Sequence, residues 1–406
     1  MKSTLTPPFT LLNYGFRIFF LLAGLGAIMI GMEWLALLHG WTWRGAPRDP
    51  IVWHVHEMMF GFASAAIAGF LLTAMAAWTG RPPLQGRPLG VLAAAWLTGR
   101  LAMMGSAALP AWLTAGADLA FPVLLALTVA RELHAGGNRR NYGVAGLVAL
   151  LAVADGVYHA GRLGLATNAE RFVMAVPHVA LALIVVIGGR IIPSFTANWL
   201  RFTGHSDLPV MRPLIERLAL PVTLALAVAY GIAPQAWLTG LLALAALLVH
   251  GTRLAGWRGF ATLSNPLLAV LHVAYGWLVV GYGALAIAIA GLALPRSGAL
   301  HALTIGAIGT MILAVMSRVA LGHTGRPLQA APPTVAAYAL LSIAASARML
   351  APLVGGGWTL ALTDAAGAAW IAAFVLFVMV YAPILSGPRA DGMAERRPGP
   401  PLVPSR

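Results

Sequence analysis

His56-Glu57-Met58-Met59-Phe60-Gly61 opens an apolar run that closes at Thr79-Gly80-Arg81-Pro82. His301-Ala302-Leu303-Thr304-Ile305-Gly306 opens another that closes at Thr324-Gly325-Arg326-Pro327. In each, His stands five residues before a Gly and 23 residues before the Thr of the closing tetrapeptide. A helix of that length rises about 35 Å, one crossing of a bilayer. The tetrapeptide alone has a plain explanation as a helix terminator: Gly at the C-cap, Arg at the negative end of the dipole, Pro to block continuation. That explanation does not account for the matched His and Gly. The chain therefore repeats a membrane-crossing helix with a histidine at one end and a stop at the other.

The rest of the chain agrees with that reading. Of 406 residues, 60% are hydrophobic and 9% charged, where a soluble domain carries about 25% charge. This excludes a soluble globular protein and a disordered chain, and the long apolar runs exclude a transmembrane β-barrel, whose strands alternate polar and apolar. Twelve apolar runs bounded by Gly, Pro and charge occupy 18–39, 56–79, 89–109, 112–130, 142–163, 172–192, 214–231, 234–250, 264–292, 299–321, 334–352 and 358–385. The fold class is all-α: a polytopic membrane protein, with residues 1–386 forming one twelve-helix transmembrane domain. Residues 387–406, rich in Pro and Arg, are expected to form a disordered tail. The first run is long enough to span and has no clear cleavage site, so it is read as a membrane helix rather than a signal peptide.

An even number of spans puts both termini on one side. Of the 26 basic residues, 19 fall on that side, including Lys2, Arg17, Arg81, Arg139, Arg140, Arg190, Arg318, Arg326, Arg389, Arg396, Arg397 and Arg406. Arg44, Arg48, Arg162, Arg171 and Arg296 fall on the other, and Arg100 and Arg348 lie within spans. The imbalance predicts cytoplasmic termini in a bacterial inner membrane. The net charge of +14 is thereby explained by cytoplasmic loops and lipid contact, not by nucleic acid.

The two repeated helices are the second and tenth, eight apart. That spacing argues against two six-helix halves and suits a four-helix unit used three times. The sixth span is then the third equivalent, and it carries His178 after Pro177. With no cysteine in the chain, iron–sulfur clusters, covalent haem attachment and Cys-based metal sites are excluded. Several histidines at one depth suit axial ligation of haem, or copper held by imidazoles. His54 and His56, two apart, point to different sides of a helix and could serve two adjacent sites. His272 and Tyr275 share a helix face, and a buried His–Tyr hydrogen-bonded pair is the plain alternative to a ligand role there. His39, His134, His205 and His250, near span ends and unaccompanied, are read as packing or hydrogen-bonding residues, and His159 as a weaker functional candidate. Glu33, Arg100, Asp118, Asp155, Arg348 and Asp364 are read as internal ion pairs that set helix packing, with a proton or electron-coupling route as the alternative.

Several segments resemble the NnrS family, the haem- and copper-containing membrane proteins of nitric oxide metabolism. They are Phe16-Arg17-Ile18-Phe19-Phe20; Trp53-His54-Val55-His56-Glu57-Met58 through Gly69-Phe70-Leu71-Leu72-Thr73-Ala74; Gly188-Gly189-Arg190-Ile191-Ile192-Pro193-Ser194-Phe195-Thr196; Leu271-His272-Val273-Ala274-Tyr275-Gly276-Trp277; and His301 to Thr304 through Leu321-Gly322-His323-Thr324-Gly325-Arg326. The first departs from the family's pattern, with Ile18 where Pro is expected. The resemblance implies haem, non-covalent and b-type-like, and copper held within twelve helices. His on the second, sixth and tenth spans is also similar to the catalytic subunit of haem–copper oxidases. The paired His that those enzymes carry after the seventh span are absent from Gly231-Ile232-Ala233-Pro234-Gln235-Ala236.

The expected function is that of a membrane haem–copper protein acting on nitric oxide or nitrosylated metal, as an oxidoreductase or in defence against nitrosative stress. His56 and His301 are the expected haem ligands, because the repeat makes them equivalents on parallel helices. His54, His178 and His272 are the expected copper ligands. Glu57, Tyr275, Arg318, His323 and Arg81 are expected to support the site and order the helix ends. The alternatives are a transporter of metal or a metal complex that uses the same histidines transiently, and a non-catalytic haem-based sensor of nitric oxide.

Overall fold

A computed structural model describes residues 10–292 and 294–392. Lys2, Arg396, Arg397 and Arg406 of the charge count lie outside the described residues. Twelve long helices account for the described chain: α1 Gly15–Leu38, α2 Pro50–Thr79, α3 Arg87–Met104, α4 Ala111–Ala135, α5 Tyr142–Arg162, α6 Ala169–Phe202, α7 Pro213–Ile232, α8 Trp237–Ala255, α9 Pro266–Ile289, α10 Arg296–His323, α11 Pro332–Val354 and α12 Gly356–Ser386. They correspond one to one with the twelve apolar runs. Eleven are long and apolar enough to cross a membrane. The exception is α3, whose hydropathy is lowered by Arg87 and Arg100. The fold is an all-α polytopic membrane protein.

The middle of the bundle is held by α2, α6 and α10. Their apolar stretches are 78%, 67% and 67% buried by protein, whereas those of the peripheral α7 and α8 are 28% buried. The three contact one another, and the remaining helices pack around them, α11 and α12 on α1 and α10. The second helix of each four-helix unit is thus the central one, so the three helices that the repeat makes equivalent also occupy equivalent places. A small apolar cavity of about 80 Å3 lies on the axis between the three, walled by Ala63, Ala66, Leu183, Ile187, Ile308 and Met311 among others.

The two repeated helices share backbone detail. In α2 the residues after His56, Glu57–Ala63, form π-helical turns, and in α10 so do the residues after His301, Ala302–Gly309. A π turn inserts an extra residue and re-aims the side chains on either side of it. Both helices also end alike. Thr79 and Thr324 each donate a hydroxyl to the carbonyl four residues back, at 2.7 Å, and Gly80 and Gly325 take φ of 68° and 71°. Only glycine adopts that conformation without strain. In α10 the stop has a second use. The residues after α12 fold back on it, with the Ala390 amide donating to the Thr324 carbonyl (2.9 Å) and Arg389 to the His323 carbonyl (2.7 Å). The tail expected from Gly387 therefore begins with an anchored segment, and residues 393–406 lie outside the described residues.

Both described chain ends lie at the same end of the bundle. Arg17, near the start of α1, is fully buried, and its guanidinium donates to the carbonyls of Leu385 (2.6 Å) and Gly387 (2.8 Å) at the end of α12. A cation here meets the negative end of the α12 dipole and carbonyls with no helical partner. Arg17→Met should destabilise the protein by about 2 kcal/mol through loss of charged hydrogen bonds, read as a lower Tm of the detergent-purified protein. An unchanged Tm would show that the α1–α12 seam does not depend on this contact.

Candidate functional site

Asp49 and Pro50 start α2. The Asp49 carboxylate accepts from the amides of Ile51 (3.1 Å) and Val52 (3.0 Å), and Pro50 supplies a first helical residue without an amide hydrogen. One turn later come His54 and His56. Two residues of helix separate them by about 200° of rotation, so the two imidazoles face opposite surroundings.

His54 faces a cavity of about 540 Å3 at the end of the bundle remote from the described chain ends. Its ring stacks on Trp34 of α1 (centroids 4.2 Å apart), and its buried Nδ1 has no hydrogen-bond partner. His301 of α10 lines the same cavity. Its Nδ1 donates to the Ser297 carbonyl (2.7 Å), which fixes the tautomer and leaves the lone pair on Nε2, where it accepts a long hydrogen bond from the Arg348 guanidinium (3.4 Å). Met58, Met59, Phe62 and Trp370 make much of the wall apolar, and Arg296 and Arg348 add two cations at its edge. Two imidazoles, one with an unpartnered nitrogen and one whose second nitrogen meets only a long contact from Arg348, an apolar chamber and two guanidiniums are the kinds of group that hold a flat apolar macrocycle carrying carboxylates.

His56 turns the other way, into a buried polar cluster between α2, α3, α4 and α5. Its Nδ1 donates to Glu57 Oε1 (2.9 Å). Its Nε2 lies 2.9 Å from Asp155 Oδ1 and 3.1 Å from Asp118 Oδ2. His159 Nε2 lies 2.9 Å from the same Asp118 oxygen and 3.6 Å from Asp155 Oδ1. Arg100 completes the cluster, donating to both Glu57 oxygens at 2.6 Å and to Asp118 Oδ1. All six side chains are buried. His56, Asp118, Asp155 and His159 each offer one ligand atom, and the four atoms lie within 4.8 Å of one another, a group able to hold a metal ion.

The structure does not bring His56 and His301 together, because His56 belongs to this cluster and His54 takes its place opposite His301. Nor does it gather His54, His178 and His272. His178 is fully buried against Tyr230 and Tyr282, with neither ring nitrogen hydrogen-bonded. His272 bonds through Nε2 to Thr196 near the opposite end of α6 (2.9 Å). The His272–Tyr275 pair does not form either. Tyr275 instead bonds His250 Nδ1 (2.8 Å) and Arg253 (3.0 Å), so His250, read from sequence as unaccompanied, is part of a buried network. Among the supporting residues, Glu57 joins the His56 cluster. Arg81 pairs with Glu132 (2.9 Å), Arg318 lies over the Phe195 ring (4.2 Å), and His323 packs on Phe16 (5.5 Å). The roles of Asp118, Asp155 and Arg100 around His56 were missed. One signal was present: Asp155 and His159 are four apart on α5 and share a face.

A family model described as NnrS protein matches residues 10–389. No curated protein matches the chain.

Arg100 has two carboxylate partners away from water, whereas Arg81 meets Glu132 at the surface. Arg100→Leu should therefore destabilise the protein by about 3–5 kcal/mol, since it strands buried charge. Arg81→Ala should cost less than about 1 kcal/mol. Thermal unfolding of the two variants side by side measures the difference, and equal losses would contradict the burial argument.

Proposed function

The chain belongs to the NnrS family, and on that premise we propose that it is a membrane haem protein acting on nitric oxide or nitrosylated metal, with haem held between His54 and His301. The observation that carries this reading is the shared cavity. It presents two imidazoles from neighbouring central helices inside apolar walls: His54 Nδ1 has no hydrogen-bond partner, and His301 Nε2 has one long contact, from Arg348 at 3.4 Å, that a metal would have to displace. Bound there, haem would supply an iron that takes nitric oxide as a ligand.

The protein's own contribution is positional. Trp34 fixes the plane of the His54 ring by stacking, and the Ser297 carbonyl fixes the tautomer of His301. Arg296 and Arg348 offer partners for carboxylates at the cavity edge. Met58, Met59, Phe62 and Trp370 keep water from the chamber. Ile308 lines both this chamber and the small axial cavity between α2, α6 and α10, so apolar space continues toward the middle of the bundle. A small apolar molecule partitions into such space more readily than an ion does. The residues fit copper less well: His54, His178 and His272 have separate surroundings, and no role for copper is derived from them. The excess of arginine at the end that carries both termini favours cytoplasmic termini in the inner membrane.

The test is the absorption spectrum of the detergent-purified protein, oxidised, reduced, and reduced with nitric oxide. A Soret band that shifts with nitric oxide is expected. It should be weakened or lost in His54→Ala and in His301→Ala and kept in a folded His56→Ala variant. A folded, colourless wild-type protein would overturn the haem reading and favour transport. A band retained by both cavity variants but lost in His56→Ala would move the haem to the other face of α2.

A further inference from the structure

We propose that His56, Asp118, Asp155 and His159 form a closed, four-ligand site for a divalent first-row metal ion, separate from the chamber between His54 and His301. Proton accounting is the first argument. His56 Nδ1–H donates to Glu57, so in the neutral imidazole Nε2 carries a lone pair, yet it faces an oxygen of Asp118 and one of Asp155. The lone pair and two carboxylate oxygens converge, and His56 brings no proton to them; the nearest ring nitrogen, His159 Nε2, reaches only the Asp118 oxygen at hydrogen-bond distance. A cation at that point satisfies all three.

Charge accounting agrees. Glu57, Asp118 and Asp155 bring three negative charges in direct contact, and Arg100 returns one positive charge. With neutral imidazoles the cluster carries two excess negative charges, all of them buried. Uncompensated charge out of water is severely unfavourable, and a divalent ion cancels it. Asp155 Oδ2 is an unpartnered buried oxygen on one of the proposed ligands.

The geometry fits as well. For a tetrahedral ion with bonds of about 2.1 Å, ligand atoms stand about 3.4 Å apart. Four of the six separations, the His–Asp ones, are 2.9, 2.9, 3.1 and 3.6 Å, and all six lie within 4.8 Å. Glu57 on His56 Nδ1 and Arg100 on the second Asp118 oxygen hold two of the ligands from behind, as outer partners do in metal sites. Two imidazoles with two carboxylates, and no sulfur, suit zinc, manganese or ferrous iron better than Cu(I). Four protein ligands leave no open position, so the ion would pin α2 to α4 and α5 rather than react. The cluster is separated from a solvent-facing pocket by one aromatic ring. A polar pocket of about 620 Å3 opens beside Asp49 and Arg162, and the Tyr158 ring that lines it packs on His56 (4.2 Å).

The experiment is elemental analysis of full-length, detergent-purified protein by mass spectrometry, with haem counted separately from its pyridine complex. About one equivalent of zinc, manganese or non-haem iron per chain is expected. His159→Gln and Asp155→Asn should lose it while haem content stays unchanged. Glu57→Gln should weaken retention against a chelator about 10- to 100-fold. If the ligand variants do not fold, X-ray absorption at the edge of the metal in the wild-type protein decides instead. A shell of two imidazoles and two carboxylate oxygens supports the site, and a shell lacking imidazole overturns it. Wild-type protein without non-haem metal, even after incubation with zinc or manganese ions, overturns it too, and leaves a protonated histidine cluster in its place. The haem spectrum is read independently, so neither result is mistaken for the other.

Discussion

Arg100 carries a permanent charge into a helix that hydrocarbon would otherwise surround. Lipid cannot solvate it, and an arginine at that depth is tolerated only when the protein does so. Glu57 from α2 and Asp118 from α4 meet it on either side. That contact has consequences along three helices. It draws α3 against α2 and α4 despite α3 being the least apolar of the twelve. It fixes Glu57, which in turn holds the His56 ring. With His56 committed to this side, α2 has one rotation left to it, and His54 must face the opposite way, into the chamber shared with His301. The charged cluster and the apolar chamber are two faces of one helix.

The repeat gains its meaning from the same geometry. Central helices α2 and α10 both pass from a histidine straight into π-helical turns and both finish on a threonine-capped glycine stop. A π turn departs from the regular hydrogen-bond ladder and persists where packing or function supports it. Here it lies immediately after the histidines around which the chamber and the cluster are built. The matching residues have nevertheless diverged in use. His301 looks into the chamber, while its counterpart His56 looks away, and His54 supplies the second imidazole. Sequence equivalence on a repeated helix sets depth in the membrane. It does not set azimuth.

The termini show a comparable economy. Arg17 binds the last carbonyls of α12, and the segment after α12 returns to the Thr-Gly-Arg-Pro stop of α10. A motif that terminates a helix thereby also seats the chain end, because the positive φ of Gly325 turns the backbone so that its neighbours' carbonyls are exposed to a partner.

Periodicity, length and charge were enough to give twelve long helices, the all-α class and the shared end of the two described termini; that α2, α6 and α10 are the enclosed helices came from the tertiary structure. Each of the first three follows from local physics. A run of about 20 apolar residues is long enough to span a bilayer whatever its neighbours. The partners of the histidines did not follow. Arg100 meets a residue 43 positions earlier and one 18 positions later, and His56 meets Asp155 at a separation of 99. Such contacts depend on how helices rotate against one another, and a mostly apolar sequence leaves that rotation nearly free until charge fixes it. Hence Asp118 and Asp155 looked like generic ion pairs, His250 looked solitary, and His56 looked like the partner of His301. Packing around the buried Arg100 decided the surroundings of Asp118, Asp155 and His56, and a separate network through Tyr275 and Arg253 decided those of His250.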